Sequence, residues 1–366
     1  MLIKYNANEE IEWAKSIGGT GSDYINAIDE CNDGGYIAVG IFFSSEIELE
    51  NGEKLNNVKA YGSNSSDHLC DAMIIKYTSE GQMEWASSIG GKDSDYINSI
   101  KACSDGGYII GGYFKSNSID LGNGVTLTSN GEYDGIIVKY NANREVEWSK
   151  VIGGTSDDYI SALTECNDGG YLAVGSFKSS SIDLGNKITL SNKGTRNGMI
   201  IKYNANGKCE WSKAIGGTGS DYIRSVIEMT DGNYLIAGNF NSKSIELENG
   251  TVLTNKGNQD GMIIKCTDKG EIKWSKTIGG TGEDCLRSVS ECRDGGYIVG
   301  VTTDWRGLEL ENNIRLEYGG IVKYDANGEA EWSRGRIEDN YYIISVERDD
   351  GSYLVVGTFY GTLNMR

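Results

Sequence analysis

IIKYNANGKCEWSKAIGG, running from Ile200 to Gly217, decides the fold, because near-copies of it return six times along the chain. Each copy carries a Trp, at Trp13, Trp85, Trp148, Trp211, Trp274 and Trp332, spaced by 72, 63, 63, 63 and 58 residues. A repeat of that length marks stacked units, none of which buries its apolar face without a neighbour.

Working outward from this phrase gives the unit. Tyr222 to Glu228 reads as a short strand, and Thr230-Asp231-Gly232-Asn233 supplies the tight turn of a hairpin into a second strand, Tyr234 to Gly238. After an excursion of about twenty residues come GMIIKC from Gly261 and IKWSKTIGG from Ile272, separated by Thr267-Asp268-Lys269-Gly270. Two hairpins make four strands, named a, b, c and d in chain order. No segment shows the apolar spacing of an amphipathic helix. Gly supplies 51 of 366 residues, about twice ordinary usage. The expected class is therefore all-β, with four antiparallel strands per repeat arranged as the blades of a β-propeller. The rival, a β-solenoid, has coils much shorter than 63 residues.

Counting strands at the two ends predicts how such a ring closes. The chain opens inside strand c (LIKY), passes through strand d (IEWAKSIGG), and reaches its first strand a at Tyr24. It ends with strand a around Tyr342 to Glu347 and strand b at Tyr353 to Gly357. The expectation is a six-bladed propeller, one domain over 1–366, its last blade shared by the N-terminal c and d strands and the C-terminal a and b strands. The blades fall at about 22–91, 94–154, 157–217, 220–280, 283–336, and 340–366 joined with 1–19. Closure of this kind removes open sheet edges.

The string DGMIIKYxxxGxxEWSKxIGGTGxDYIxSVxExxDGGYIxxG resembles the bacterial seven-bladed β-propeller repeat of the SBBP type. In that repeat a D-x-x-x-x-K-Y strand, a turn, a Trp strand, a Gly-Gly-x-Gly-x-Asp loop and a D-G-N/G-x-Y hairpin follow in order. SIDLGNGVTLTSNGEYDG, from Ser118, resembles the long connector of that family. The chain departs from it in having six repeats, and in carrying Gly335-Arg336-Ile337-Glu338-Asp339-Asn340 where the other repeats have the Gly-Gly-Thr loop. The resemblance implies a surface or secreted scaffold that binds, with no reaction attached.

Composition narrows the partners. With 34 basic against 53 acidic residues the net charge is −19, which argues against nucleic acid, whose phosphates need a basic stripe. No apolar run is long enough to span a bilayer, and no basic-then-apolar leader opens the chain. The expectation is a soluble, monomeric ring, cytoplasmic or secreted, without cofactor or metal. Cys31, Cys103, Cys166 and Cys292 share one repeat position, which spreads them over different blades, too far apart for pairing within about 7 Å. They read as small buried hydrophobes.

Catalytic readings are weak. The one histidine, His68, lies in an insertion confined to the first blade, in a Ser- and Asn-rich loop. NANGKCEW resembles the Asp box of sialidase propellers only superficially, since no Asp stands two residues before Gly207. The repeated Trp residues, and Tyr36, Tyr108, Tyr171, Tyr234, Tyr297 and Tyr353, read as packing residues between blades. Asp23, Asp95, Asp158, Asp221 and Asp284 each end a d–a loop, and Glu48, Asp120, Asp183, Glu246 and Glu309 recur in the b–c excursions. Capping of turns explains the first set more simply than Ca²⁺, which needs six to eight converging oxygens. An acidic field that draws a basic partner is the better functional reading of both.

Binding residues are sought where the symmetry breaks. The first blade inserts nine residues (72 against 63), including Tyr61 and His68, and the fifth places Trp305 and Arg306 in its excursion. Aromatic and Arg side chains on exposed loops make binding anchors. The function expected is a non-catalytic scaffold binding a protein partner through its loop-rich face. The alternative is a carbohydrate-binding propeller holding a sugar between blades, and an enzyme on the ring axis ranks last.

Overall fold

Strand c, the run of apolar residues just before each Trp phrase, is buried along its whole length in the first four blades, as in Asp71–Tyr77 and Asp134–Tyr140. Strand d is mostly half-buried, as in Val146–Ile152, where only Glu147 is exposed and Ile152 is buried. The computed structural model describes residues 1–6, 8, 10–58, 69–304, 306–316, 319–337, 343–347 and 353–357. Trp305, Tyr61 and His68 lie outside the described residues.

Five four-stranded antiparallel sheets form, each in the order a, b, c, d. Blade 1 comprises Asp23–Glu30, Tyr36–Phe42, Asp71–Tyr77 and Met83–Ile89. Blade 2 comprises Asp95–Ala102, Tyr108–Phe114, Asp134–Tyr140 and Val146–Ile152. Blade 3 comprises Asp158–Glu165, Tyr171–Phe177, Asn197–Tyr203 and Cys209–Ile215. Blade 4 comprises Asp221–Glu228, Tyr234–Phe240, Asp260–Cys266 and Ile272–Ile278. Blade 5 comprises Cys285–Glu291, Tyr297–Thr302, Gly319–Tyr324 and Ala330–Ile337. These are blades of the β-propeller class. Each b–c excursion adds a small two-stranded hairpin, such as Ser118–Asp120 with Thr126–Thr128, which pattern reading of the sequence does not show.

The six-bladed expectation is corrected: the described residues form five four-stranded blades. Leu2–Tyr5 pairs only with Ile11–Lys15, and Ile343–Glu347 only with Tyr353–Gly357, as two separate two-stranded sheets among the described residues. Complementary strand counts do not supply a ladder. The N-terminal c strand has four residues and the C-terminal b strand five, against seven in each of the first four blades. Short strands offer few bonds to a shared sheet.

The chain groups into two compact units, Met1–Glu165 with Ile182–Leu184 and Asn204–Lys208, and Cys166–Ser181 with Gly185–Tyr203 and Cys209–Arg366. In the first unit Ile37, Val39, Ile74, Ile110, Ile136 and Val138 bury together between blades 1 and 2. A bulge in strand a leaves one residue unpaired, Asn26 in blade 1 and Asn98 in blade 2. Bulges re-aim side chains. Here the Asn26 amide donates to Ile97 O at 2.8 Å and the Asn98 amide to Ile160 O at 2.9 Å, so each strand a is tied to the next. In the second unit Leu235, Ile263, Val299 and Val322 form the corresponding core between blades 4 and 5.

Candidate functional site

The aspartates that open strand a are turned into the fold. Asp23, Asp95, Asp158, Asp221 and Asp284 each accept from the backbone N–H of the Gly four residues earlier, at 2.7 to 2.9 Å. Asp23, Asp95 and Asp221 also accept from a serine hydroxyl (Ser44, Ser116, Ser242) at 2.6 to 2.7 Å. They cap the d–a loop and lash it to the end of strand b. All but Asp23 are buried, and burial pushes the Asp95 and Asp284 carboxyls up to about 6.

Arg306 is exposed but occupied. Its guanidinium pairs with Asp304 at 2.7 Å and donates to Thr281 O at 3.3 Å, pinning the blade 5 excursion to a d–a loop.

The excursion acids face the other way. On each small hairpin a central apolar residue is buried, in the order Ile47, Ile119, Ile182, Ile245 and Leu308, and the acid that follows it is exposed. Those acids are Glu48, Asp120, Asp183, Glu246 and Glu309. A buried anchor beside an exposed carboxylate fixes that carboxylate on a rigid base.

Two devices escaped the sequence reading. The first is the Lys of the K-Y strand: Lys76, Lys139, Lys202, Lys265 and Lys323 are buried, and each ammonium pairs with the Asp of its own blade's a–b turn at 2.7 to 2.9 Å. The partners are Asp33, Asp105, Asp168, Asp231 and Asp294. The shared D-G turn and strand-c Lys were visible in every repeat, with Cys266 replacing the Tyr in blade 4, but their pairing crosses a hairpin and has no local signature.

The second is how each Trp is seated. The Trp13, Trp148 and Trp211 indole N–H groups donate to Ser79 O, Ala205 O and Asp268 O in the c–d turn of the following blade, at 3.0 to 3.1 Å. The Gly closing that turn lies on the ring: a Cβ built on Gly81 would sit 2.7 Å from Trp13, and one on Gly207 2.6 Å from Trp148. Both have left-handed φ, +77° and +69°. The lid is thus a bare backbone pressed on an indole.

Trp85 is seated differently. The residue closing the next c–d turn is Arg144, held at φ +66°, and its guanidinium lies 5.2 Å from the indole centroid. Two neighbouring positions differ as well. Trp13, Trp211 and Trp274 are each followed two residues later by a Lys that pairs with an excursion Glu, as Lys15–Glu50, Lys213–Glu248 and Lys276–Glu311. At the corresponding places stand Ser87 and Gly122. The result is a cleft of about 240 Å³ lined by Trp85, Ser87, Tyr108, Asn123, Tyr140 and Arg144, with apolar residues behind them.

No family model matches the chain. It is 20% identical over 352 residues to the regulatory protein FlaEY of Caulobacter vibrioides, covering 91% of this chain and 35% of that protein. It is 21% identical to an uncharacterized WD repeat-containing protein, L264, of Acanthamoeba polyphaga mimivirus, covering 98% of this chain and 31% of that protein. The chain spans about a third of the length of these curated relatives. Among solved structures, the WD40 domain of Neurospora crassa Pan2 is 9% identical with a TM-score of 0.43, covering 92% of this chain and 89% of that one.

Proposed function

We propose that the chain is a non-catalytic propeller scaffold that docks a protein partner with a basic surface. The observation that carries this reading is the exposed acid repeated on every excursion hairpin, Glu48, Asp120, Asp183, Glu246 and Glu309, each beside a buried anchor. A carboxylate already fixed in place loses little freedom on binding. A net charge of −19 adds long-range steering of a cationic partner. Likeness along almost the whole chain to a WD repeat-containing protein supports a blade scaffold. The order of motifs supports the finer assignment to the SBBP-type repeat.

The test is co-purification with wild-type protein and with a variant carrying Lys at Glu48, Asp120, Asp183, Glu246 and Glu309. One stoichiometric partner, released by salt and lost by the variant, is expected. Equal retention by the variant, or several equivalent sugar sites on a glycan array with no protein partner, overturns it. The multi-site sugar alternative is disfavoured by Gly81 and Gly207, which close two of the Trp junctions.

A further inference from the structure

The junction between blades 1 and 2 combines three residues that meet in space and occur together at no other junction. Ser87 stands where Trp13, Trp148, Trp211 and Trp274 are followed by Lys, Gly122 where Glu50, Glu248 and Glu311 stand, and Arg144 where four other c–d turns have Gly. Gly122 by itself is not unusual, since blade 3 carries Gly185 at the same place with Lys150 retained. Ser87 with Gly122 removes the Lys–Glu pair found beside Trp13, Trp211 and Trp274, and Arg144 puts a cation where bare backbone closes the other turns.

What the cleft offers is chemically specific. Arg144 is exposed and has no carboxylate within ion-pair distance among the described residues, in a chain with 53 acids. Its guanidinium is left to an anion from outside. Trp85 and the stacked pair Tyr108–Tyr140, 4.9 Å between centroids, form one wall. The Trp85 indole N–H lacks the carbonyl partner that Trp13 and Trp148 have, so a donor is open there too. Ser87, Asn123 and Asn143 supply a hydroxyl and amides; the Asn123 amide NH₂ donates to Arg144 O at 3.2 Å, which leaves its oxygen to accept. The volume, about 240 Å³, lies below the roughly 300–1,000 Å³ that holds drug-sized ligands. One ring fits.

We propose that this cleft binds a single acidic sugar ring, its carboxylate on Arg144, its apolar face on the aromatic wall, and its hydroxyls on Ser87, Asn123 and Asn143. A bare phosphate would use the cation and waste the rings. A neutral sugar would use the rings and leave the cation unmatched. The site borders one excursion acid, Asp120, whose Oδ1 accepts from Gly122 N–H at 2.8 Å; partner capture by variants at the other four acids and titration with glucuronide let the scaffold reading and this one fail separately.

Titration of the full chain with methyl glucuronide, methyl glucoside and inorganic phosphate, followed by tryptophan fluorescence and calorimetry, tests it. Saturable binding of one glucuronide per chain is expected, with glucoside and phosphate each weaker by about tenfold or more. Arg144→Gly, which installs the residue of the other turns, weakens glucuronide by about tenfold or more. Ser87→Lys with Gly122→Glu, which rebuilds the covering pair, abolishes binding in a second, independent way. The proposal is overturned by no saturation up to about 50 mM glucuronide, by glucoside or phosphate binding as tightly, or by undiminished binding to either folded variant.

Discussion

Lys202 Nζ lies 2.8 Å from Asp168 Oδ2, with the lysine side chain 1% exposed and the aspartate 56% exposed. One end of this ion pair is in the blade and the other is in water. The ammonium also donates to Tyr203 O at 3.3 Å, so the lysine is fully committed to its hairpin. The two partners are therefore not equivalent. Removing Asp168 leaves a cation buried with only Glu210, 3.9 Å away, as a counter-charge. Removing Lys202 leaves a carboxylate that water can solvate. Asp168→Ala should cost about 2–4 kcal/mol and Lys202→Met about 1 kcal/mol or less, because an apolar chain of similar length refills the site. Urea unfolding of the two variants decides it; equal losses would mean that the pair acts through Coulomb attraction alone.

Gly207 is held at φ +69°, and its missing Cβ is replaced by the face of Trp148. A methyl group there must either displace the indole or break its N–H bond to Ala205 O. Gly207→Ala is expected to lower stability by about 2 kcal/mol or more, combining backbone strain with overpacking. A melting temperature unchanged within error would show that the indole is free to shift.

Arg144→Gly should do the opposite. Arg144 occupies a left-handed conformation, φ +66°, that glycine adopts at no steric cost. The exchange loses one exposed cation–π contact, worth about 0.5–1 kcal/mol, and relieves about 1–2 kcal/mol of backbone strain. A net gain of up to about 1 kcal/mol is expected by the same unfolding measurement. A destabilised variant would mean that Arg144 is a structural lid and not a residue retained for binding.

The repeat, the strand order and the turns were legible in the sequence because they rest on local chemistry. Asp221 to Glu228, the Asp-Gly turn and Ile272 to Ile278 appear where propensity puts them. Closure was not legible, since whether Leu2–Tyr5 joins Tyr353–Gly357 depends on pairing across the whole chain, and counting strands cannot supply it. The excursion hairpins were missed because their strands are two or three residues long and carry at most one buried side chain, as with Ile245 in Ser244–Glu246. The cleft could have been found. Ser87 and Arg144 are exceptions to the repeat, Gly122 is shared with Gly185 alone, and setting the repeats on their Trp residues puts all three at one junction. What the sequence withholds is that Ser87, Gly122 and Arg144, far apart in one dimension, line the same 240 Å³.

The pH dependence follows from two opposed sets of aspartates. Asp95 N–H donates to Cys70 O at 2.8 Å, which brings the Asp71 and Asp95 carboxyls side by side at the junction of blades 1 and 2. Burial, with the neighbouring Asp95 charge adding to it, pushes Asp71 up to about 7, and burial pushes Asp95 up to about 6. In the unfolded chain both ionise near 4. The folded state therefore holds more protons than the unfolded one between about pH 4 and 7, and stability falls as pH rises through that window. Asp33 and Asp294 behave in the reverse sense, since Lys76 and Lys323 hold their carboxyls below the usual range. Their contribution is present above about pH 4 and lost as pH falls below it. Maximum stability is expected near pH 4–5, with a decline toward pH 8. Blade 3 carries Asn197 at the position equivalent to Asp71, which keeps the shape without the second charge. Asp71→Asn should flatten the decline and raise stability at pH 8 by about 1–2 kcal/mol, while changing little at pH 4. Thermal melts of both proteins from pH 3 to 8 measure this. A wild-type melting temperature that climbs steadily from pH 4 to 8, or a variant with the wild-type slope, would show that the paired carboxyls are not what sets the decline above pH 4–5.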